Sequence, residues 1–203
     1  MYLGISKITR LGTIPEPIKL NLLKSTYFIN KTRENQGKFL YSIDTPIDKA
    51  VIELINILSI DIENFTVEYW FQYQKAGERL TPHCDYNTRA RKELPTTSIQ
   101  EFLRDKDLRY YISPMTIAAY LEVSDNLMGG ELCISNDFTY LSDNITNEKI
   151  LTGSFEEYSP VEGDILCFEG SKYYHWISQV LQGTRKSLLL NFWPKDIATY
   201  GSQ

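Results

Sequence analysis

The chain has 203 residues, 42% hydrophobic and 23% charged, which suits one packed domain and excludes bulk disorder. A formal net charge of −5 provides no basic stripe for phosphates and argues against a nucleic-acid partner. No stretch approaches the roughly 18 uninterrupted apolar residues of a membrane helix, so no membrane partner is expected either. Residues 1–10 carry no apolar h-region and no small-residue cleavage site, so no signal peptide is read. The three cysteines form no CxxC pair, and a reduced, cytoplasmic setting is the simplest expectation.

Residues 1–43 hold short apolar runs and a polar stretch at Asn30–Lys38, with no linker to a second domain, so 1–203 is read as a single domain. Thr45–Leu58 predicts a helix, with Pro46 in its first turn and Ile47, Val51, Leu54, Ile55 and Leu58 at helical spacing. Phe65–Tyr73 alternates, is rich in β formers and predicts a strand. Lys75-Ala76-Gly77 then turns the chain back toward His83. Residues 86–113 form a charged excursion with room for a short helix at Thr97–Leu108. Met115–Val123 predicts a strand, Met128-Gly129-Gly130 a turn, and Glu131–Ser135 another strand. Residues 136–158 are polar and loop-like, with room for a short hairpin. Asp164–Phe168 predicts a strand, followed by the His175 segment, a turn at Gln182-Gly183 and a long strand Arg185–Trp193. A helix-and-strand block followed by many short strands predicts an α+β chain whose C-terminal part is a β-sandwich or barrel.

Only two histidines occur, His83 and His175. The first belongs to His83-Cys84-Asp85. On a strand, residues i and i+2 share a face, so an imidazole and a carboxylate can converge on one ion while Cys84 points away. His175 lies 90 residues beyond Asp85. Two histidines and one carboxylate make the facial triad of non-haem Fe(II) oxygenases, which leaves three positions of an octahedral metal open. Arg185 follows His175 by ten residues. A five-carbon dicarboxylic acid that chelates iron at one end needs its far carboxylate neutralised, and a guanidinium does so bidentately. Ser187 shares the strand face of Arg185 and can add a hydrogen bond. The alternative is that Arg185-Lys186 is a solvated hairpin end after Gly183.

These residues fall into an ordered set. It comprises Tyr73, Gly77 and Pro82-His83-x-Asp85; Tyr120-Leu121 before Gly129-Gly130-Glu131-Leu132; Pro160, Gly163-Asp164 and Phe168; and His175, Val180, Gly183, Arg185 and Ser187. The stretch from Tyr69 to Trp193 thereby resembles the 2-oxoglutarate and Fe(II)-dependent oxygenase superfamily, and within it the prolyl 4-hydroxylase-like group. The resemblance implies a double-stranded β-helix (jelly-roll or cupin-like) core over about 65–195, flanked by an N-terminal helix. It implies Fe(II) held by His83, Asp85 and His175 as metal ligands and catalytic centre. 2-Oxoglutarate would serve as co-substrate on Arg185 and Ser187, with Tyr73 and Tyr120 lining its pocket. Each tyrosine can instead be a strand residue of the core or surface. The implied reaction consumes O2, decarboxylates 2-oxoglutarate to succinate and hydroxylates a C–H bond on a peptidyl proline or other peptide side chain. The alternatives are the same chemistry on a free amino acid or small natural product, and a metal-binding barrel without turnover.

The chain departs from the group at Leu80, where many members carry an aromatic residue three before the first ligand. The stretches 86–113 and 136–158 are also longer than a minimal core requires. The first follows Asp85 directly and is read as a substrate lid, with Tyr86, Asn87 and Arg89 as substrate contacts. A solvated surface helix is the competing reading.

Overall fold

Twelve strands and two helices make up the described part of the computed structural model, residues 7–25, 28, 38–40, 43–85, 113–135 and 153–194. In chain order they are β1 (Thr9–Thr13), α1 (Glu16–Leu23), β2 (Lys38–Phe39), α2 (Pro46–Ile57), β3 (Phe65–Lys75), β4 (Leu80–His83), β5 (Thr116–Val123), β6 (Met128–Gly129), β7 (Leu132–Ser135), β8 (Phe155–Tyr158), β9 (Asp164–Phe168), β10 (His175–Ile177), β11 (Val180–Gln182) and β12 (Thr184–Pro194). The larger sheet has the order β1-β9-β5-β12-β3-β2, the smaller one β4-β10-β7-β8, and β11 pairs with β6. All pairings are antiparallel.

Side-chain parity divides the larger sheet into two faces. Val67, Tyr69 and Phe71 of β3, Ile117, Ala119 and Leu121 of β5, and Leu188, Leu190 and Phe192 of β12 pack with Ile18 and Leu22 of α1 and Ala50, Val51, Leu54 and Ile55 of α2. On the opposite face Ala118 and Tyr120 of β5 and Leu166 and Phe168 of β9 meet Leu132 and Ile134 of β7 and Ile177 of β10. The two sheets therefore enclose one interior, the double-stranded β-helix, and the helices cover its outer wall.

The α2 helix starts where its sequence dictates. Thr45 caps it by accepting from the Asp48 backbone N–H at 3.1 Å, and the Asp48 carboxylate accepts from the Thr45 N–H at 2.9 Å, a reciprocal capping box. Pro46 occupies the first turn, where no N–H is missed. The Asp48 side chain is buried, and its other oxygen accepts from the Tyr69 hydroxyl at 2.7 Å. One carboxylate thus fastens α2 to β3.

The predicted helix and the predicted strands at β3, β5, β7, β9 and β12 coincide with observed elements to within two residues. Three of the departures from expectation have a local cause. α1 was hidden by its brevity and by two prolines, Pro15 at its N-cap and Pro17 in its first turn. Phe155–Tyr158 forms a strand rather than loop, because it pairs with β7 at the sheet edge. Met128-Gly129 does more than turn, since it pairs with Val180–Gln182. The helix predicted at Thr97–Leu108 and the loop over 136–152 lie outside the described residues. Among the described residues no helix is long and apolar enough to cross a membrane.

The shared carboxylate gives a stability prediction. Thr45→Ala should cost about 0.5–2 kcal/mol as a lost cap, and Tyr69→Phe about 1–3 kcal/mol because a buried acceptor loses its donor. Urea unfolding of the single and double variants should show non-additive losses, since both act on Asp48; strictly additive losses would mean the two contacts are independent.

Candidate metal centre and adjoining polar pocket

His83 is the last residue of β4 and lies directly opposite His175, the first of β10. Parity turns His175 and Ile177 inward and sends Trp176 outward against Cys133. Each imidazole is oriented by the backbone two residues earlier. His83 Nδ1 lies 2.8 Å from the Thr81 carbonyl, and His175 Nδ1 lies 3.3 Å from that of Tyr173. A proton on Nδ1 donates there and leaves the Nε2 lone pair free for a metal. Both Nε2 atoms face Asp85 Oδ1, at 3.8 Å from His83 and 3.7 Å from His175. The ring centroids stand 4.3 Å apart, and the ligand atoms of the three residues all fall within 4.8 Å of one another. Burial pushes the His175 imidazole down to about 4, with smaller opposing and reinforcing effects from Asp85 and His83. It is therefore neutral near pH 7, the form that ligates metal.

The route by which Asp85 arrives differs from the sequence expectation. His83 and Asp85 do not share a strand face, because β4 ends at His83. Asp85 is instead anchored from the other side of the interior. Its backbone N–H donates to the Gly170 carbonyl at 2.9 Å, and its carbonyl accepts from Ser171 Oγ at 2.6 Å. Its Oδ2 accepts from Thr116 Oγ1 at 2.9 Å. A Cβ at position 170 would sit 2.4 Å from Asp85 Oδ2 and 2.5 Å from Thr116 Oγ1, so only glycine leaves room for that bond. The His83 side chain is 36% exposed, against 8% for Asp85 and 4% for His175. The centre is therefore reached from the His83 edge, β4 being an outer strand of its sheet.

A second polar group occupies the same interior. Arg185 and Ser187 project from the inward face of β12, where Arg185 pairs with Gln74, and Ser187 pairs with Gln72 on one side and Tyr120 on the other. Arg185 Nη1 donates to the Gly130 carbonyl at 2.6 Å, and Nη2 donates to Ser187 Oγ at 3.4 Å. Its guanidinium lies 4.8 Å from the centroid of the Tyr120 ring. Burial lowers the Arg185 pKa from its ordinary value, yet an arginine stays protonated, and no carboxylate among the described residues pairs with it within 4.0 Å. Burial likewise raises Tyr120 despite the nearby cation. Four buried side-chain atoms lack a hydrogen-bond partner among the described residues: Arg185 Nε, Tyr120 OH, Gln72 Oε1 and Gln74 Oε1. An orphaned buried polar atom costs about 1–3 kcal/mol, and all four belong to this one pocket. Tyr158 stacks on Tyr120 at 6.5 Å, and its hydroxyl donates to Asp164, which also pairs with Arg10 at 2.7 Å. The pocket wall is thus tied to β1 and β9.

Tyr73 does not belong to this group. It lies opposite Lys186, one residue out of phase with Arg185, so it faces the helix side of the sheet. The pocket residues on β3 are Gln72 and Gln74, which sequence reading missed. Their signal was present: Val67, Tyr69 and Phe71 form the apolar phase of the strand, so the even-numbered residues must face the interior. Tyr86, Asn87 and Arg89 lie outside the described residues.

No protein-family model and no curated protein matches the chain. Solved structures do. A prolyl-4-hydroxylase from Pseudomonas putida is similar at 12% identity with a TM-score of 0.56, covering 93% of this chain and 87% of the other. HygX from Streptomyces hygroscopicus, with nickel and 2-oxoglutarate bound, is similar at 10% identity and TM-score 0.58, covering 94% and 83%. A prolyl hydroxylase from Trichoplax adhaerens, in complex with a peptide fragment of a hypoxia inducible factor, is similar at 10% identity and TM-score 0.54, covering 97% and 88%. The likeness is one of fold, and it extends over nearly the whole chain. This chain has the double-stranded β-helix fold of prolyl hydroxylases.

The tight contact at position 170 supplies a test. Gly170→Ala should displace the Asp85 carboxylate and weaken Mn(II) binding roughly 10–100-fold, measured by titration of the metal-free protein. Unchanged affinity would mean that Asp85 Oδ2 is not held as described.

Proposed function

We propose that this protein is an Fe(II)- and 2-oxoglutarate-dependent dioxygenase that hydroxylates an unactivated C–H bond on a peptide side chain, a peptidyl proline foremost. The observation that carries the reading is a buried Arg185, with no carboxylate paired to it among the described residues, in the same interior as a His83–Asp85–His175 cluster. A buried cation beside an orphaned hydroxyl calls for a ligand that brings a carboxylate. The donor set fits divalent iron, since two imidazoles and one carboxylate leave positions open on an octahedral ion. The overlap in fold with prolyl hydroxylases, one of them in complex with a peptide, supports the peptide class of substrate.

His83 Nε2, His175 Nε2 and Asp85 Oδ1 would hold the iron, and the backbone carbonyls of Thr81 and Tyr173 would favour the Nδ1–H tautomer that leaves each Nε2 free to ligate. Arg185 would receive the distal carboxylate of 2-oxoglutarate, with Tyr120 and Ser187 alongside and an amide N–H of Gln72 or Gln74 turned toward it. When bound, iron and 2-oxoglutarate supply the oxidation: one atom of O2 goes to succinate, formed with loss of CO2, and the other to the hydroxylated product. The chain's own share is orientation and water exclusion, provided by the apolar walls Leu132, Ile134, Leu166, Phe168 and Ile177. Substrate would enter at the more exposed His83 edge. Tyr86, Asn87 and Arg89 follow Asp85 in the chain and are the proposed substrate contacts, within a proposed lid over 86–113.

Succinate formation from 2-oxoglutarate should appear in air with Fe(II) and vanish without O2. It should be lost in Asp85→Ala and His175→Ala while both variants remain folded. Peptides that gain one oxygen atom by mass spectrometry would then define the substrate. Arg185→Ala leaves the distal carboxylate unpaired, at a cost of about 3–5 kcal/mol, so it should raise the 2-oxoglutarate requirement by orders of magnitude with little change in iron affinity. Arg185→Lys should recover only part of this, for want of a bidentate fork. An unchanged requirement in Arg185→Ala would remove Arg185 from the co-substrate site.

A further inference from the structure

We propose that Thr116 and Asn191 are positioning residues that hold Asp85 to ligation through one oxygen, and so keep a coordination position open for the reaction. The inference rests on the reading of His83, Asp85 and His175 as an iron centre.

The need for such a device comes from where Asp85 sits. It has left the β4 ladder, so no strand fixes its side chain. The bonds to Gly170 and Ser171 fix its backbone only. Rotation of the carboxylate is decided by what touches its two oxygens. Oδ1 faces both imidazoles. Oδ2 faces Thr116 Oγ1 at 2.9 Å. Thr116 is fully buried at the start of β5 and lies in register opposite Asn191, also buried, on β12. The hydroxyl is 2.7 Å from the Asn191 amide atom placed as Oδ1.

Proton counting gives the chain of contacts a direction. Thr116 has one hydroxyl hydrogen. If it pointed to an amide oxygen of Asn191, Asp85 Oδ2 would lose its donor. A carboxylate is the stronger acceptor, and the two ends of an amide are interchangeable by a half-turn. With the Asn191 amide given that half-turn, Nδ2–H donates to Thr116 Oγ1 and Thr116 Oγ1–H donates to Asp85 Oδ2, so one hydroxyl hydrogen serves both contacts. Asn191 thereby commits the hydroxyl to the carboxylate.

The consequence is chemical. An Asp85 carboxylate free to rotate can turn both oxygens on a metal and occupy one of the three positions that the triad leaves. With Oδ2 engaged by a buried, charge-assisted hydrogen bond, only Oδ1 is presented. A metal held there would keep all three remaining positions free for its co-substrates. The missing Cβ at Gly170 leaves the space that this orientation of the carboxylate needs.

Cobalt(II) substitution tests this without turnover, because the visible spectrum of Co(II) reports its coordination number. Wild type, His175→Ala, Thr116→Val, Thr116→Ser and Asn191→Asp would be titrated with Co(II), with thermal unfolding of each metal-free protein alongside. Thr116→Val should weaken Co(II) binding roughly 10–100-fold and shift its spectrum. Thr116→Ser should restore both. Asn191→Asp should reproduce the spectral shift with Thr116 intact, because the new carboxylate competes for the hydroxyl hydrogen. A merely structural role would lower the unfolding temperature and leave affinity and spectrum unmoved. Unchanged affinity and spectrum in either Thr116→Val or Asn191→Asp would overturn the proposal, and should the valine variant not fold, the aspartate variant decides alone. Wild type that takes up Co(II) no better than His175→Ala would instead refute the iron centre itself.

Discussion

The register of one strand governs this molecule. Thr184–Pro194 is paired on both edges, in register with eleven consecutive residues of β3 and with β5. Its even-numbered residues Leu188, Leu190 and Phe192 fill the layer beneath the helices, while its odd-numbered residues Arg185, Ser187 and Asn191 face the interior. A slip by one residue would exchange the two sets and drive a guanidinium into the helix-packed core. The capped α2 helix and the apolar phase of β3 hold that register, so the position of the polar pocket depends on packing far from any chemistry.

Each sheet contributes what the other cannot. The smaller sheet presents the two imidazoles as a cross-strand pair. The larger sheet contributes the arginine pocket at one end of β12 and the Thr116–Asn191 support for Asp85 at the other. The loop between β9 and β10 closes the arrangement, because Gly170 and Ser171 carry the backbone bonds that bring Asp85 across. Neither sheet alone assembles a metal centre, and the ligands converge only when the two pack. Buried polar atoms without partners lower the stability of the fold, and a ligand that satisfies them returns that free energy as affinity.

Most of the frame was legible in the sequence because its elements are locally consistent. α2 carries a capping residue, an N-terminal proline and helical spacing, and the long strands alternate cleanly. The two histidines stood out because the chain has no others. Less legible was anything set by contacts distant in sequence. Asp85 reaches the centre by bonding to Gly170, Ser171 and Thr116 rather than by strand parity. Tyr73 was assigned to the pocket through family likeness, and its pairing with Lys186 places it on the outer face. Gln72 and Gln74 were overlooked because glutamine in a strand carries no chemical flag, although the phase of their neighbours locates them. β8 was invisible because an edge strand with exposed residues has a weak pattern of its own and takes its conformation from its partner.

The central claim is that one interior holds both a divalent metal and a dicarboxylate. A crystal structure with Ni(II), which does not turn over, and 2-oxoglutarate tests it most directly. The account predicts metal bound by His83 Nε2, His175 Nε2 and Asp85 Oδ1 alone among protein atoms, with the distal carboxylate of 2-oxoglutarate on Arg185 and the Tyr120 hydroxyl. Metal bound elsewhere, or a dicarboxylate that leaves Arg185 without an anion, would contradict it.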